Sequence, residues 1–84
     1  MTNIDKLLDM GYTDSKTFLN PSYETAIIGV NTDGRVIYDY ELMVEYLIDN
    51  DNMTREEAVD YIDYNTIRSL PYIGYKAPIV MYKL

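Results

Sequence analysis

Glu41, Glu45 and Asp49 stand four residues apart with no lysine between them. On a helix that spacing puts three carboxylates in one row. A few residues on, Glu56/Asp60, Glu57/Asp60 and Asp60/Asp63 are further like-charge neighbours. Carboxylates at this density suit three roles. A pair can act as acid and base in glycoside hydrolysis. A loop of them can hold calcium. A row of them can meet a basic partner.

The first two roles fit poorly. Glycoside hydrolysis needs a cleft, and a domain of 84 residues rarely forms a deep one. Asp49-Asn50-Asp51-Asn52 opens like a calcium loop, but Met53 and Thr54 stand where an oxygen ligand and the turn glycine belong. The twelfth position is Asp60 rather than glutamate, so the segment reads as a connection between helices. The chain has no His and no Cys, hence no usual general base, no thiol nucleophile and almost no transition-metal ligands. Its four glycines are scattered and build no phosphate loop. The expectation is a protein that is not an enzyme, with no catalytic residues, no metal and no cofactor.

The third role agrees with where the charge lies. Residues 39–63 carry nine acids against Arg55 alone, whereas residues 64–84 carry Arg68, Lys76 and Lys83 and no acid. The net charge of −7 argues against direct binding to nucleic acid or to anionic membranes. Some acids have a local reason to be there: Glu41, Glu56 and Glu57 fall in first helical turns, where the helix dipole favours them. Glu45, Asp49, Asp60 and Asp63 have none. A solvated face kept acidic for solubility is the plain alternative.

Ten tyrosines beside one Phe and no Trp suit boundaries where a ring is buried and a hydroxyl stays wet. Tyr61 and Tyr64 share a helix face, Tyr38 and Tyr40 a strand face, and Tyr72, Tyr75 and Tyr82 cluster late. A thin domain whose core reaches the surface everywhere accounts for about half of them. Asn65 and Arg68 extend polar character into the end of a packing helix. Arg68 could take an anion. A structural role, capping the helix end or pairing with an acid such as Asp63, is favoured.

The elements that must position these groups follow from periodicity and turn chemistry. Thr25 to Val30 and Arg35 to Tyr40 read as two strands joined by Asn31-Thr32-Asp33-Gly34, a hairpin. Asp39 suits the N-cap of a helix running to about Asp49, with Leu42, Met43, Tyr46 and Leu47 on its apolar face. Thr54 and Glu57 fit a capping box for a second helix, with Met53 and Ala58 at the staple positions. Ala58, Val59, Ile62 and Thr66 continue one face, Asn65 could restart the helix after a kink, and Pro71 should stop it. Ala77 to Tyr82 reads as a last strand, antiparallel to the second. Residues 2–10 could form a short helix and Lys16 to Leu19 an edge strand. The fold expected is a single α+β domain over residues 1–84, β-β-α-α-β, with a helical hairpin on one face of a small mixed or antiparallel sheet. Residues 1–22 form its N-terminal segment. With no signal peptide and no spanning segment in the sequence, a cytoplasmic location is expected.

From Tyr23 onward the chain resembles a family of small uncharacterised proteins of gut-type Firmicutes and their phages and mobile elements. The resemblance rests on TAIIGVNTDGRVIYDYELMVEYL, MTREEAVDYIDYNTIRSLPY and APIVMY, with Tyr64 to Tyr72 (YNTIRSLPY) the most distinctive phrase. It implies a prokaryotic or phage setting and supplies no activity. The reading is therefore a small acidic protein-binding module whose helical hairpin meets a basic protein surface through Glu41, Glu45, Asp49, Asp60, Asp63, Tyr61 and Tyr64. Its sharpest form is a phage or mobile-element inhibitor of a host nucleic-acid-binding defence protein, anti-CRISPR-like or DNA-mimicking. Two rivals stand beside it. One is a structural or oligomerising domain that forms a homodimer through tyrosines and a strand edge. The other is an enzyme or small-ligand sensor, which requires a pocket near Asn65 and Arg68.

Overall fold

The computed structural model describes residues 16–19 and 21–84; the helix expected over residues 2–10 lies outside them. Two strands, β1 (Ile27–Val30) and β2 (Val36–Asp39), pair antiparallel as the hairpin predicts. The turn is held by Asn31, whose carbonyl accepts from the Gly34 N–H at 3.0 Å and whose side-chain Oδ1 accepts from the Asp33 and Arg35 N–H groups. Gly34 takes φ 80, a conformation that costs a glycine little. β1 is shorter than expected. Glu24–Ala26 forms a turn of 3-10 helix, and a bulge between Ile27 and Gly29 shifts the register so that Ile28 faces out.

β2 passes into helix α1 (Tyr40–Asp51) with no connecting residue. Asp39 is the N-cap, its carboxylate accepting from the Leu42 N–H at 3.2 Å. α1 runs past Asp49 to Asp51 and stops at Asn52, which takes a left-handed φ of 56 while the Met53 N–H reaches back to the Leu47 carbonyl. Asparagine tolerates this C-terminal position better than most residues. Helix α2 (Arg55–Tyr61) opens with the expected capping box: Thr54 Oγ1 accepts from the Glu57 N–H, and Glu57 accepts from the Thr54 N–H.

Beyond Tyr61 the helix runs on without a restart at Asn65. It widens into a π-helical turn (Ile62–Thr66) and continues as α3 (Ile67–Ile73). The expected stop at Pro71 does not occur: Pro71 lies inside α3, and the helix ends at Gly74, φ 85. Proline costs a helix one backbone hydrogen bond and crowds the preceding turn. Ile67, Leu70 and Ile73 pack on the core from this segment, and that burial outweighs the local cost.

The last strand, β3 (Ile79–Met81), pairs with β2, giving the order β1-β2-β3. It runs parallel to β2, against the antiparallel expectation. The chain leaves β2, passes through all the helical segments and returns beside it, a crossover connection of the kind that parallel strands require. The Arg35 Nε–H donates to the Ala77 carbonyl at 2.8 Å, tying the approach to β3 to the residue that precedes β2. The sheet is thus mixed and the class α+β. Lys16–Leu19 forms no strand. Instead Phe18 packs on Tyr38 (ring centroids 4.7 Å apart), and its N–H donates to the Tyr38 hydroxyl.

The core gathers Phe18, Tyr23, Ala26, Val36, Tyr38 and Ile62 with Tyr40, Met43, Val44 and Leu47 of α1. Ala58, Ile62 and Thr66 are buried along α2 and the π turn, as their spacing predicted, and Val59 is half-buried. Among the described residues, no helix is long and apolar enough to cross a membrane.

Candidate partner-binding face

Eight of the nine acids in residues 39–63 are exposed; Asp39, at 4% exposure, is the buried N-cap. The eight differ in what they touch. Glu41 is held by Arg55, whose Nη2 lies 2.8 and 2.9 Å from its two carboxylate oxygens. The bond raises the Arg55 pKa, and Glu45 adds to the effect at longer range. Glu57 is engaged by the Thr54 backbone N–H, which holds its carboxyl below the usual range. Asp63 accepts a 2.8 Å bond from the Tyr40 hydroxyl, and burial together with this bond pushes the Tyr40 pKa up. Glu45, Asp49, Asp51, Glu56 and Asp60 make no hydrogen bond or ion pair among the described residues.

The structure therefore divides the expected site. Asp60, Tyr61, Tyr64 and Asn65 come together along α2 and the π turn, lining a groove of about 440 Å3 with Glu57 and Met53. The residues Glu45 and Asp49 project from α1 as exposed carboxylates. Glu41 and Asp63 are exposed but already committed to protein partners. The pairing expected between Arg68 and Asp63 is not made: the Arg68 guanidinium lies over the Tyr64 ring, 4.9 Å from its centroid, while Asp63 takes the Tyr40 hydroxyl. A guanidinium over a ring face is attracted by the ring quadrupole, and residues four apart on a helix meet readily.

Two groove residues, Met53 and Glu57, carried only structural roles in the sequence, as staple and capping-box positions. The start of α2 faces the groove, so both also line it. Tyr40, expected at the end of a strand, is the first residue of α1, and its ring lies 4.8 Å from that of Tyr82.

The tyrosines separate in the same way. Tyr23, Tyr38 and Tyr40 are buried, and Tyr46 and Tyr61 half-buried. By contrast, Tyr64, Tyr72, Tyr75 and Tyr82 are 69–90% exposed. Each buried hydroxyl has a partner: Thr66 Oγ1 for Tyr23, the Phe18 N–H for Tyr38, Asp63 for Tyr40. Burial raises the Tyr23 pKa to about 12 and raises that of Tyr38.

Among the described residues, no group of three or more acidic side chains is placed to hold a metal ion. Asp49, Asn50 and Asp51 lie within α1 rather than in a loop, which removes the calcium-loop geometry their order suggested. The pocket required by the small-ligand reading exists beside Asn65 but without Arg68. The chain matches no protein-family model, no curated protein and no solved structure.

Proposed function

We propose that the protein is a small acidic binding module that captures a basic protein surface through the face formed by α1, α2 and the π turn. The observation that carries this reading is the set of five exposed carboxylates, Glu45, Asp49, Asp51, Glu56 and Asp60, that make no hydrogen bond or ion pair among the described residues. Like charges on one helix destabilise it when nothing offsets them. A basic partner relieves that repulsion and is steered in by it. The groove beside Asp60 adds aromatic contact from Tyr61 and Tyr64, which suits arginine and lysine side chains. Glu41 and Asp63 serve the fold first and stand at the margin of this footprint. The sharpest form remains an inhibitor, encoded by a phage or mobile element and acting in a bacterial cytoplasm, of a defence protein whose basic groove binds nucleic acid.

The experiment is capture from host lysate with the wild-type chain and with the double reversal Glu45→Lys and Asp60→Lys. Retention of a basic protein by the wild type, lost in the reversal and weakened by salt, supports the reading. Equal retention by both chains at low salt overturns it.

A second reading, self-association, has an observation of its own. Among the described residues β3 is an edge strand, and exposed Tyr82 and Leu84 follow it. Light scattering over a concentration series separates the two: a strict monomer at high concentration removes the homodimer.

A further inference from the structure

A cavity of about 520 Å3 opens between the π turn and residues Lys16, Thr17, Phe18, Leu19 and Pro21, and shares Tyr61 and Asn65 with the acidic groove. Small-molecule sites commonly measure about 300–1,000 Å3. Two departures from regular backbone meet at its wall. One is Tyr23, a buried tyrosine with φ 50. The other is the π turn itself, Ile62–Thr66. The two are joined by a buried 2.8 Å hydrogen bond between the Tyr23 hydroxyl and Thr66 Oγ1. Left-handed backbone at a bulky residue, and a widened turn within a helix, both concentrate at functional sites.

The chemistry of the lining is distinct from the rest of the molecule. No Asp or Glu lines it among the described residues, in a chain whose net charge is −7. Its cation is Lys16, which is exposed. Phe18, Pro21, Ile73 and the Tyr61 ring supply apolar surface. The Asn65 carboxamide offers a donor and an acceptor with no side-chain hydrogen bond among the described residues. Ser69 donates its hydroxyl proton to the Thr66 carbonyl at 2.7 Å, which leaves its oxygen able to accept.

We propose that this cavity binds a small planar heterocycle bearing an anionic tail, of the nucleoside monophosphate kind. The ring lies against Tyr61 and Phe18, the donor–acceptor edge meets Asn65 and Ser69, and the anionic group meets Lys16. An amide is suited to reading such an edge, because it presents a donor and an acceptor side by side. The inference does not rest on the acidic-face reading, although the cavity shares Tyr61 and Asn65 with the acidic groove.

The experiment is an amide NMR titration of the 84-residue chain with each of the four common nucleoside monophosphates, their nucleosides, and phenyl phosphate, all to millimolar concentration. At least one monophosphate should give saturable shifts at Tyr61, Asn65, Thr66 and Ser69. The exposed Asn65 side chain can be removed without disturbing the core, so Asn65→Ala should weaken binding about tenfold with an unchanged melting temperature. Lys16→Gln should bring the monophosphate down to the affinity of its nucleoside. No saturable shift with any monophosphate overturns the proposal. So does phenyl phosphate binding as tightly as the best nucleotide, since it lacks the edge that Asn65 reads. Shifts confined to Arg68, Lys76 and Lys83 mark loose anion association and overturn it equally.

Discussion

At the junction of β2 and α1, Asp39 and Tyr40 are 4% and 6% exposed, and each has a partner: the Leu42 N–H for the carboxylate, Asp63 for the hydroxyl. Along α2 and the π turn, Asp60 and Tyr64 are exposed, Asp60 bonds to nothing among the described residues, and Tyr64 offers its ring to Arg68. The same two residue types thus do opposite work in two regions. At the junction, a buried polar atom without a partner would cost more than a hydrogen bond returns, so every one is satisfied. On the helical face water satisfies the groups, and they remain available to a partner. Burial marks Asp39 and Tyr40 as parts of the fold, whereas among the exposed acids Glu41, Glu57 and Asp63 take partners within it and Glu45, Asp49, Asp51, Glu56 and Asp60 take none among the described residues.

The comparison breaks if truncation costs the same in both regions. Tyr38→Ala empties a fully buried ring site and strands the Phe18 N–H, so urea unfolding should show a loss of roughly 3–5 kcal/mol. Tyr64→Ala should stay within about 0.5 kcal/mol. A large loss at Tyr64 would place it among the structural tyrosines.

Smaller effects sharpen it. Tyr23→Phe removes the hydroxyl from Thr66 and should cost about 1 kcal/mol. The pH dependence carries the same information. A group whose pKa is raised in the fold stabilises fully below its unfolded value and loses that contribution as pH rises through the folded value. Stability should therefore fall between pH 10.0 and about 12 in the wild type, and fall less in Tyr23→Phe, as urea midpoints across that range will show.

Asp39→Ala should cost about 1 kcal/mol through the lost N-cap, read from the urea midpoint and from helical circular dichroism. The smallest effect on stability belongs to the charge reversals. Glu45→Lys breaks up the α1 carboxylate row and should stabilise by a few tenths of a kcal/mol (about 0.2–0.5), while removing partner capture. A reversal that destabilises by more than that would give Glu45 a structural role that its exposed position does not explain.

Local signals in the sequence were legible where short-range chemistry decides. Asn31 and Gly34 specify the hairpin, Asp39 the start of α1, and Thr54 with Glu57 the start of α2; all five stand where their residue types demand. Asp60, Tyr61 and Tyr64, offered together by the sequence, line one groove because neighbours on one helix stay together, and Asn65, read apart from them with Arg68, joins them there. The engagement of Glu41 by Arg55 and of Asp63 by Tyr40 was not, because the partners lie 14 and 23 residues apart and the pairing depends on how the helices pack. Pro71 misled in the other direction: its intrinsic effect is to stop a helix, and Ile67, Leu70 and Ile73 packed on the core override it.

The sequence by itself determined the acid excess of residues 39–63, the hairpin, the caps and the class of the fold. These are properties of adjacent residues, set by backbone sterics and by hydrogen bonds a few positions long. Tertiary structure decided that β3 runs parallel to β2, that four of the acids in residues 39–63 acquire a partner while five have none among the described residues, and that Asn65 fronts two concavities. Those outcomes depend on which distant surfaces bury one another, and burial is a collective quantity that no short window of residues contains.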